Sequence, residues 1–193
     1  MNSDFKTYLN HYAKFSNKDF DEIMSVVKVK KAKKGLHILQ SGKICDEFIF
    51  ILSGCTRVYF ITDNKEITVW IGFSNDIGSD IQSFISSKPA NFSIEAIQDI
   101  EYISISKASF DKLVAEMPAW ETFTRKLWGE IIVNVIDRLT AFQFQSAEQR
   151  YSDLIKTNPD YLQLIPQKYL ASFLGVTVTS LSRIRKKNTH SLH

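Results

Sequence analysis

Ile165-Pro-Gln-Lys-Tyr-Leu-Ala-Ser-Phe-Leu-Gly-Val-Thr-Val-Thr-Ser-Leu-Ser-Arg-Ile-Arg-Lys-Lys187 is the stretch from which the rest of the chain is read. It divides into two short helices around a tight turn. Pro166 suits the start of the first helix, where its missing N–H has no helical partner to lose. Leu170, Phe173 and Leu174 give that helix an apolar stripe. Gly175 ends it, because the turn calls for a residue that tolerates positive φ. Thr177 is placed to cap the second helix. There Leu181 and Ile184 face inward, while Thr179, Ser182, Arg183, Lys186 and Lys187 stay outside. Ala171 sits where the two helices must approach closely. The pattern is a helix-turn-helix, whose second helix enters the major groove of double-stranded DNA.

Charge supports that reading. Beyond Asp160 the chain carries five cations, Lys168, Arg183, Arg185, Lys186 and Lys187, and no acid. The whole chain is only +3, which leaves −2 on residues 1–160. Positive charge is thus concentrated on the segment expected to meet phosphates. The plainer alternative is a surface helical hairpin with a solvated basic face.

The chain has 193 residues, 44% of them apolar and 12% aromatic, enough to bury a core. No apolar run approaches the roughly 20 residues that cross a bilayer. No secretory signal is legible at the start, so a cytoplasmic protein without membrane contact is expected. Two cysteines, Cys45 and Cys55, are too few for a disulfide framework or a four-thiolate cluster, and a redox role for them is left open. Nucleophile motifs, metal-ligand spacings and Gly-rich phosphate loops are absent, so an enzyme is not expected.

Residues 4–27 carry Phe5, Tyr8, Leu9, Tyr12, Phe20, Ile23 and Val27 at helical spacing, with Ser16 and Asp19 as a cap. The period then changes to two. Strands are expected over 26–31, 35–39, 47–52, 56–62, 66–73, 92–97 and 101–106, with turns at Lys34-Gly35, Ser41-Gly42, Ser53-Gly54 and Asp63-Asn64. Short strands joined this way predict an antiparallel roll. Within 75–88, Ile77, Ile81, Phe84 and Ile85 fit one face of a short helix. After Pro118 a long helical run begins. Phe123, Leu127, Ile131, Val135, Leu139 and Phe142 recur at steps of three or four, and Trp128, Ile132 and Ile136 widen the stripe. A helix of about 25 residues spans roughly 37 Å. It is read as a dimer seam formed by those first six residues; the alternative is that the stripe packs on its own roll. Ser146 and Gln149 offer a capping box for a helix over 147–156, which Asn158-Pro159 ends. The fold class is therefore α+β, with a roll and N-terminal helices over 1–117, a dimerisation helix over 118–144 and a helix-turn-helix unit over 145–193.

This order resembles the Crp–Fnr superfamily of bacterial transcription regulators. Three blocks carry the likeness: Ser41-Gly-Lys-Ile-Cys-Asp-Glu-Phe-Ile-Phe-Ile-Leu-Ser-Gly54 with Arg57-Val-Tyr59, Ala147-Glu-Gln-Arg-Tyr151, and Leu170 through Arg185. The resemblance implies a homodimer, RNA polymerase as a further candidate partner, and a small-molecule effector in the roll. In the family that effector is a cyclic nucleotide, held by a Gly-Glu pair and, about a dozen residues on, an Arg followed by Ser or Thr. Here Gly78 is followed by Ser79 and Asp80, and the second part reads Pro89-Ala-Asn91-Phe92-Ser93. No arginine lies between Arg57 and Arg125. A cyclic phosphate would lack its bidentate guanidinium. The expectation is no resident cofactor, no control by cyclic AMP, and an unidentified effector or none at a pocket of Gly78, Ser79, Asp80, Asn91 and Phe92.

On the DNA side the resemblance puts Thr179 where the best-known members carry a Glu. Arg183 keeps the fork suited to guanine O6 and N7. Val178 suits a thymine methyl, Thr179 and Ser182 are short and adaptable, and Thr177 and Ser180 complete the candidate DNA contacts. Lys168, Lys186 and Lys187 are assigned to phosphates, which position without specifying. The rival reading is a ligand-binding or protein-interaction module with a degenerate DNA-binding hairpin.

Overall fold

The computed structural model describes residues 2–157, 159 and 161–190. Two helices, α1 (Asn2–Tyr12) and α2 (Asn17–Val26), lead into the first strand. The capping box read from the sequence starts α2: Asp19 N–H donates to Ser16 Oγ at 3.2 Å, and Ser16 N–H to Asp19 Oδ2 at 2.8 Å.

Seven strands follow, β1 (Lys28–Ala32), β2 (His37–Leu39), β3 (Glu47–Ser53), β4 (Thr56–Thr62), β5 (Lys65–Gly72), β6 (Ser93–Ala96) and β7 (Ile100–Ser106). They form two antiparallel sheets, ordered β1-β7-β3 and β2-β6-β4-β5. The β4–β5 turn places Asp63 and Asn64 both at positive φ, the conformation that Asn and Asp tolerate best among residues with a side chain. Gly54 closes the β3–β4 turn at φ +87, where a Cβ would stand 2.3 Å from the Asp99 carbonyl oxygen. The expected short helix is α3 (Ile81–Ser86), capped by Asp80.

A further helix, α4 (Lys107–Glu116), was not expected. It begins directly on the last strand residue: Ser106 ends β7 and accepts from Ser109 N–H as the cap. No turn residue announces the change, although Phe110, Leu113 and Met117 have helical spacing and are buried. Then α5 (Pro118–Phe144) runs 27 residues with Pro118 in its first turn. After it come α6 (Ala147–Thr157), α7 (Tyr161–Leu164), α8 (Gln167–Phe173) and α9 (Val178–His190). Ser146 and Gln149 exchange the expected box, at 2.7 and 3.2 Å. Asn158, expected to end α6, lies outside the described residues; α7 was unforeseen.

The main core is aromatic. Phe5 and Tyr8 of α1 meet Phe50 of β3, and Trp120 and Phe123 of α5 lie 5.0 Å apart over the same end of the roll. Here the seam expectation needs correction. Phe123 and Leu127 are 0% and 2% exposed and fill the protomer's own core. Ile131 is half-buried against it, whereas Val135 and Leu139 are 48% and 65% exposed, as are their neighbours Ile132, Val133 and Ile136. The first half of α5 belongs to the roll; only the second half shows apolar surface outward. Phe123→Ala should therefore cost about 3–5 kcal/mol of folding free energy in urea denaturation, as for a large core ring.

Candidate nucleic-acid interface and effector cavity

α8 and α9 pack as a helical hairpin around a tight turn, at the place where a helix-turn-helix is expected. Gly175 adopts φ +71, and the N–H groups of Gly175 and Val176 donate to Ser172 and Ala171 carbonyls at 3.0 and 2.9 Å. Thr177 caps α9, its Oγ1 accepting from Ser180 N–H at 3.1 Å. Leu170, Ala171, Phe173, Leu174, Leu181 and Ile184 are buried together, joined by Tyr151 of α6 and Ile165. With that side committed inward, Thr177, Val178, Thr179, Arg183, Lys186 and Lys187 are exposed, Ser180 and Ser182 are half-exposed, and Lys168 is exposed on α8. Lys187 is engaged: its Nζ lies 2.7 Å from Glu148 Oε1 in an ion pair open to water. Exposed pairs of this kind are worth little.

Arg138 of α5 fastens this unit to the long helix, and Arg150 of α6 braces it. Arg138 donates to the Phe173 carbonyl at 2.9 Å and stacks on the Phe173 ring at 3.8 Å. Arg150 donates to the Leu174 carbonyl at 3.0 Å and to the Gln145 carbonyl at 2.6 Å. Both guanidiniums approach the Phe142 ring, at 4.9 and 4.6 Å, and that ring lies where a Cβ on Gly175 would be. Phe142, expected on the seam, is 41% exposed and also supports the turn. Burial, and secondly the Arg150 charge, push the Arg138 pKa down to about 10.

The roll grips the same unit from the other side, which the sequence did not reveal. Thr68 N–H of β5 donates to Ser172 Oγ of α8 at 2.9 Å. Arg57 of β4, 3% exposed, is stacked between Tyr59 and Tyr169 with its centre 4.0 and 3.8 Å from their rings. Its Nε donates to Glu95 at 2.7 Å and its Nη2 to Glu66 at 2.6 Å. Burial works against the charge, but the bonds to Glu66 and Glu95 outweigh it, and the pKa is raised. The arginine carried by the roll's strands is thus spent on carboxylates and rings.

Between α1, the β2-β6-β4-β5 sheet and α5 lies a cavity of about 290 Å³. Of the five residues expected at an effector pocket, Ser79, Asp80 and Phe92 line it; Gly78 and Asn91 do not. Gly78 N–H is tied to the Ile49 carbonyl at 2.8 Å, and Asn91 is exposed beside Ser41. Ser79 Oγ is taken up by β3, accepting from Ile49 N–H at 2.7 Å and donating to the Glu47 carbonyl at 3.0 Å. Asp80 Oδ1 caps α3 at 3.0 Å. Sequence reasoning missed Tyr8, Tyr12, Trp70, Asp76 and Glu130 in the wall. They come from distant elements and share no local motif.

Cys45 and Cys55 are buried and unbridged, and burial pushes their pKa values up to about 11 and about 12. Neutral thiols of this kind are packing residues; the reactive form is the thiolate. Among the described residues no cluster of three or more His, Cys, Asp or Glu could hold a metal ion, and no helix is long and apolar enough to cross a membrane.

Residues 29–117 match the cyclic nucleotide-binding domain family. No curated protein matches the chain by sequence. Solved structures share its fold at low identity. FixK2 from Bradyrhizobium japonicum superposes with a TM-score of 0.72 at 15% identity, over 86% of each chain. A chain from Eubacterium rectale assigned to the Crp/Fnr family of transcriptional regulators gives 0.70 at 17%, over 92% of this chain and 85% of that one. The c-di-GMP-responsive global regulator CLP from Xanthomonas campestris gives 0.69 at 12%, over 91% and 93%. The α+β arrangement of roll, long helix and C-terminal helices is the Crp-like fold.

Arg57→Ala should destabilise the chain by about 3 kcal/mol, because Glu95, largely buried, loses its cation. Replacing Glu95 with Gln in the same chain should recover part of that loss, read from paired denaturation curves.

Proposed function

We propose that the chain is a DNA-binding transcription regulator of the Crp–Fnr type, not an enzyme. It acts in the cytoplasm as a homodimer on a near-palindromic operator, with RNA polymerase as a candidate partner. One observation carries the reading: a capped helix, α9, buries Leu181 and Ile184 and turns Thr177, Val178, Thr179, Arg183 and Lys186 to solvent. Those are short polar, methyl-bearing and guanidinium groups, the types that read base edges. Lys168, Lys186 and Lys187 supply the phosphate contacts. The likeness in fold to Crp/Fnr-family structures supports the same reading.

The seam is the outward stripe of α5, Ile132, Val135, Ile136 and Leu139, which one protomer leaves to water. Two copies paired there would set their recognition helices about one DNA turn apart. Control by cyclic AMP is disfavoured: no Lys, Arg or His lines the cavity, and Arg57 is engaged elsewhere. The cavity is the roll's effector site.

Arg183→Ala should weaken operator binding by roughly 1–3 kcal/mol and relax preference at one base pair, read by fluorescence anisotropy on cognate and single-mismatch duplexes. Affinity of the unaltered chain should fall steeply with salt; a flat salt dependence would refute phosphate contact. Leu139→Glu should convert the dimer to a monomer in sedimentation without unfolding it, since the side chain is exposed in the protomer. Cyclic AMP should leave the operator affinity unchanged.

A further inference from the structure

The cavity has a chemical bias that its place in the fold does not dictate. Asp76, Asp80 and Glu130 line it, and no cationic side chain does. The cation on the adjoining helix, Lys126, donates to the Tyr12 carbonyl at 2.6 Å and is not part of the wall. Asp80 is 6% exposed, and its Oδ2 is buried without any hydrogen-bond partner. A buried, unsatisfied carboxylate oxygen is rare and marks a place where a donor is missing. Tyr8, Trp70 and Phe92 add aromatic rings to the same wall, and ring faces attract cations.

We propose that the cavity takes an organic cation: a protonated amine carried on a ring-sized apolar body. This deepens the effector reading of the roll and rests on it. The ammonium would pair with the carboxylates of Asp76, Asp80 and Glu130, and a small turn of the Asp80 carboxyl would bring its unpaired Oδ2 into the cavity. An anion of the same size would meet carboxylates on several sides. The state of these acids agrees with a site short of positive charge. Burial, and secondly the Glu130 charge, raise the pKa of Asp76, while burial and the bond to Glu130 push Tyr12 up to about 12. The volume, about 290 Å³, is at the small end of ligand pockets and suits a single ring with a short arm. Asn134 and Val135 belong both to the wall and to the exposed half of α5, so an occupant would lie beside the seam.

Phenethylamine and 3-phenylpropanoate test this on the full chain, being matched in size and opposite in charge. Millimolar phenethylamine should raise the melting temperature and give a saturable calorimetric isotherm, while 3-phenylpropanoate and cyclic AMP should do neither. Asp80→Asn keeps an acceptor for the α3 cap, and Glu130→Gln changes an exposed residue; each should weaken the amine about tenfold. The proposal is overturned if the anion binds as tightly as the amine, if the amine does not bind, or if neither variant alters its affinity. Should Asp80→Asn fail to fold, Glu130→Gln alone decides. DNA affinity is measured separately by anisotropy without amine, so loss of the ligand reading leaves the DNA reading standing, and the reverse.

Discussion

Arg57 leaves water with its charge intact, and a guanidinium so buried is tolerated only when carboxylates and flat faces surround it. Glu95 and Glu66 supply the first, Tyr59 and Tyr169 the second. Three of these four partners lie on the roll, but Tyr169 lies on α8. The cost of burying the charge is therefore offset in part by a residue more than a hundred positions away. That couples the roll to the helix-turn-helix through a group that cannot simply be exposed on one side and ignored on the other. The Thr68–Ser172 bond and the apolar cluster of Cys55, Ile71 and Ile97 with Leu170 and Phe173 extend the same contact.

α5 is the other organiser. Its first half completes the aromatic core, its middle walls the cavity, and its end carries Arg138 and Phe142 to the turn of the helix-turn-helix. One rigid element thus touches every part that the functional reading invokes. A ligand in the cavity would reach the α8–α9 hairpin only by favouring one placement of this helix over another.

Much of this was legible in the sequence. The seven strands emerged from two-residue alternation and turn chemistry, and the caps at Ser16, Ser146 and Thr177 from side chains that bond the backbone locally. Local signals were the ones that survived. The missed helix α4 shows the converse, since Ser106 serves as strand end and helix cap at once and leaves no boundary to read. The seam assignment failed at Phe123 and Leu127 for a different reason. Helical period tells which residues share a stripe, but a stripe apolar on several sides does not tell which neighbour each side meets. The cavity wall was the least legible part, because Tyr8, Trp70, Asp76 and Glu130 converge only through the fold. Of the pocket expected from resemblance, Ser79, Asp80 and Phe92 line the cavity while Gly78 and Asn91 do not, and the Ser79 hydroxyl and Asp80 Oδ1 are taken up by β3 and α3.

The α8–α9 hairpin has two anchorages, one on the roll and one at the far end of α5. Arg57 and Thr68 moor it to the roll, while Arg138 moors it to the far end of the long helix through the Phe173 carbonyl, with Arg150 of α6 approaching the Phe142 ring. The consequence is mechanical. With the first half of α5 packed in the roll's core, the far end of the helix can swing against the roll only by slipping one of these moorings, and the α8–α9 hairpin travels with whichever keeps its grip.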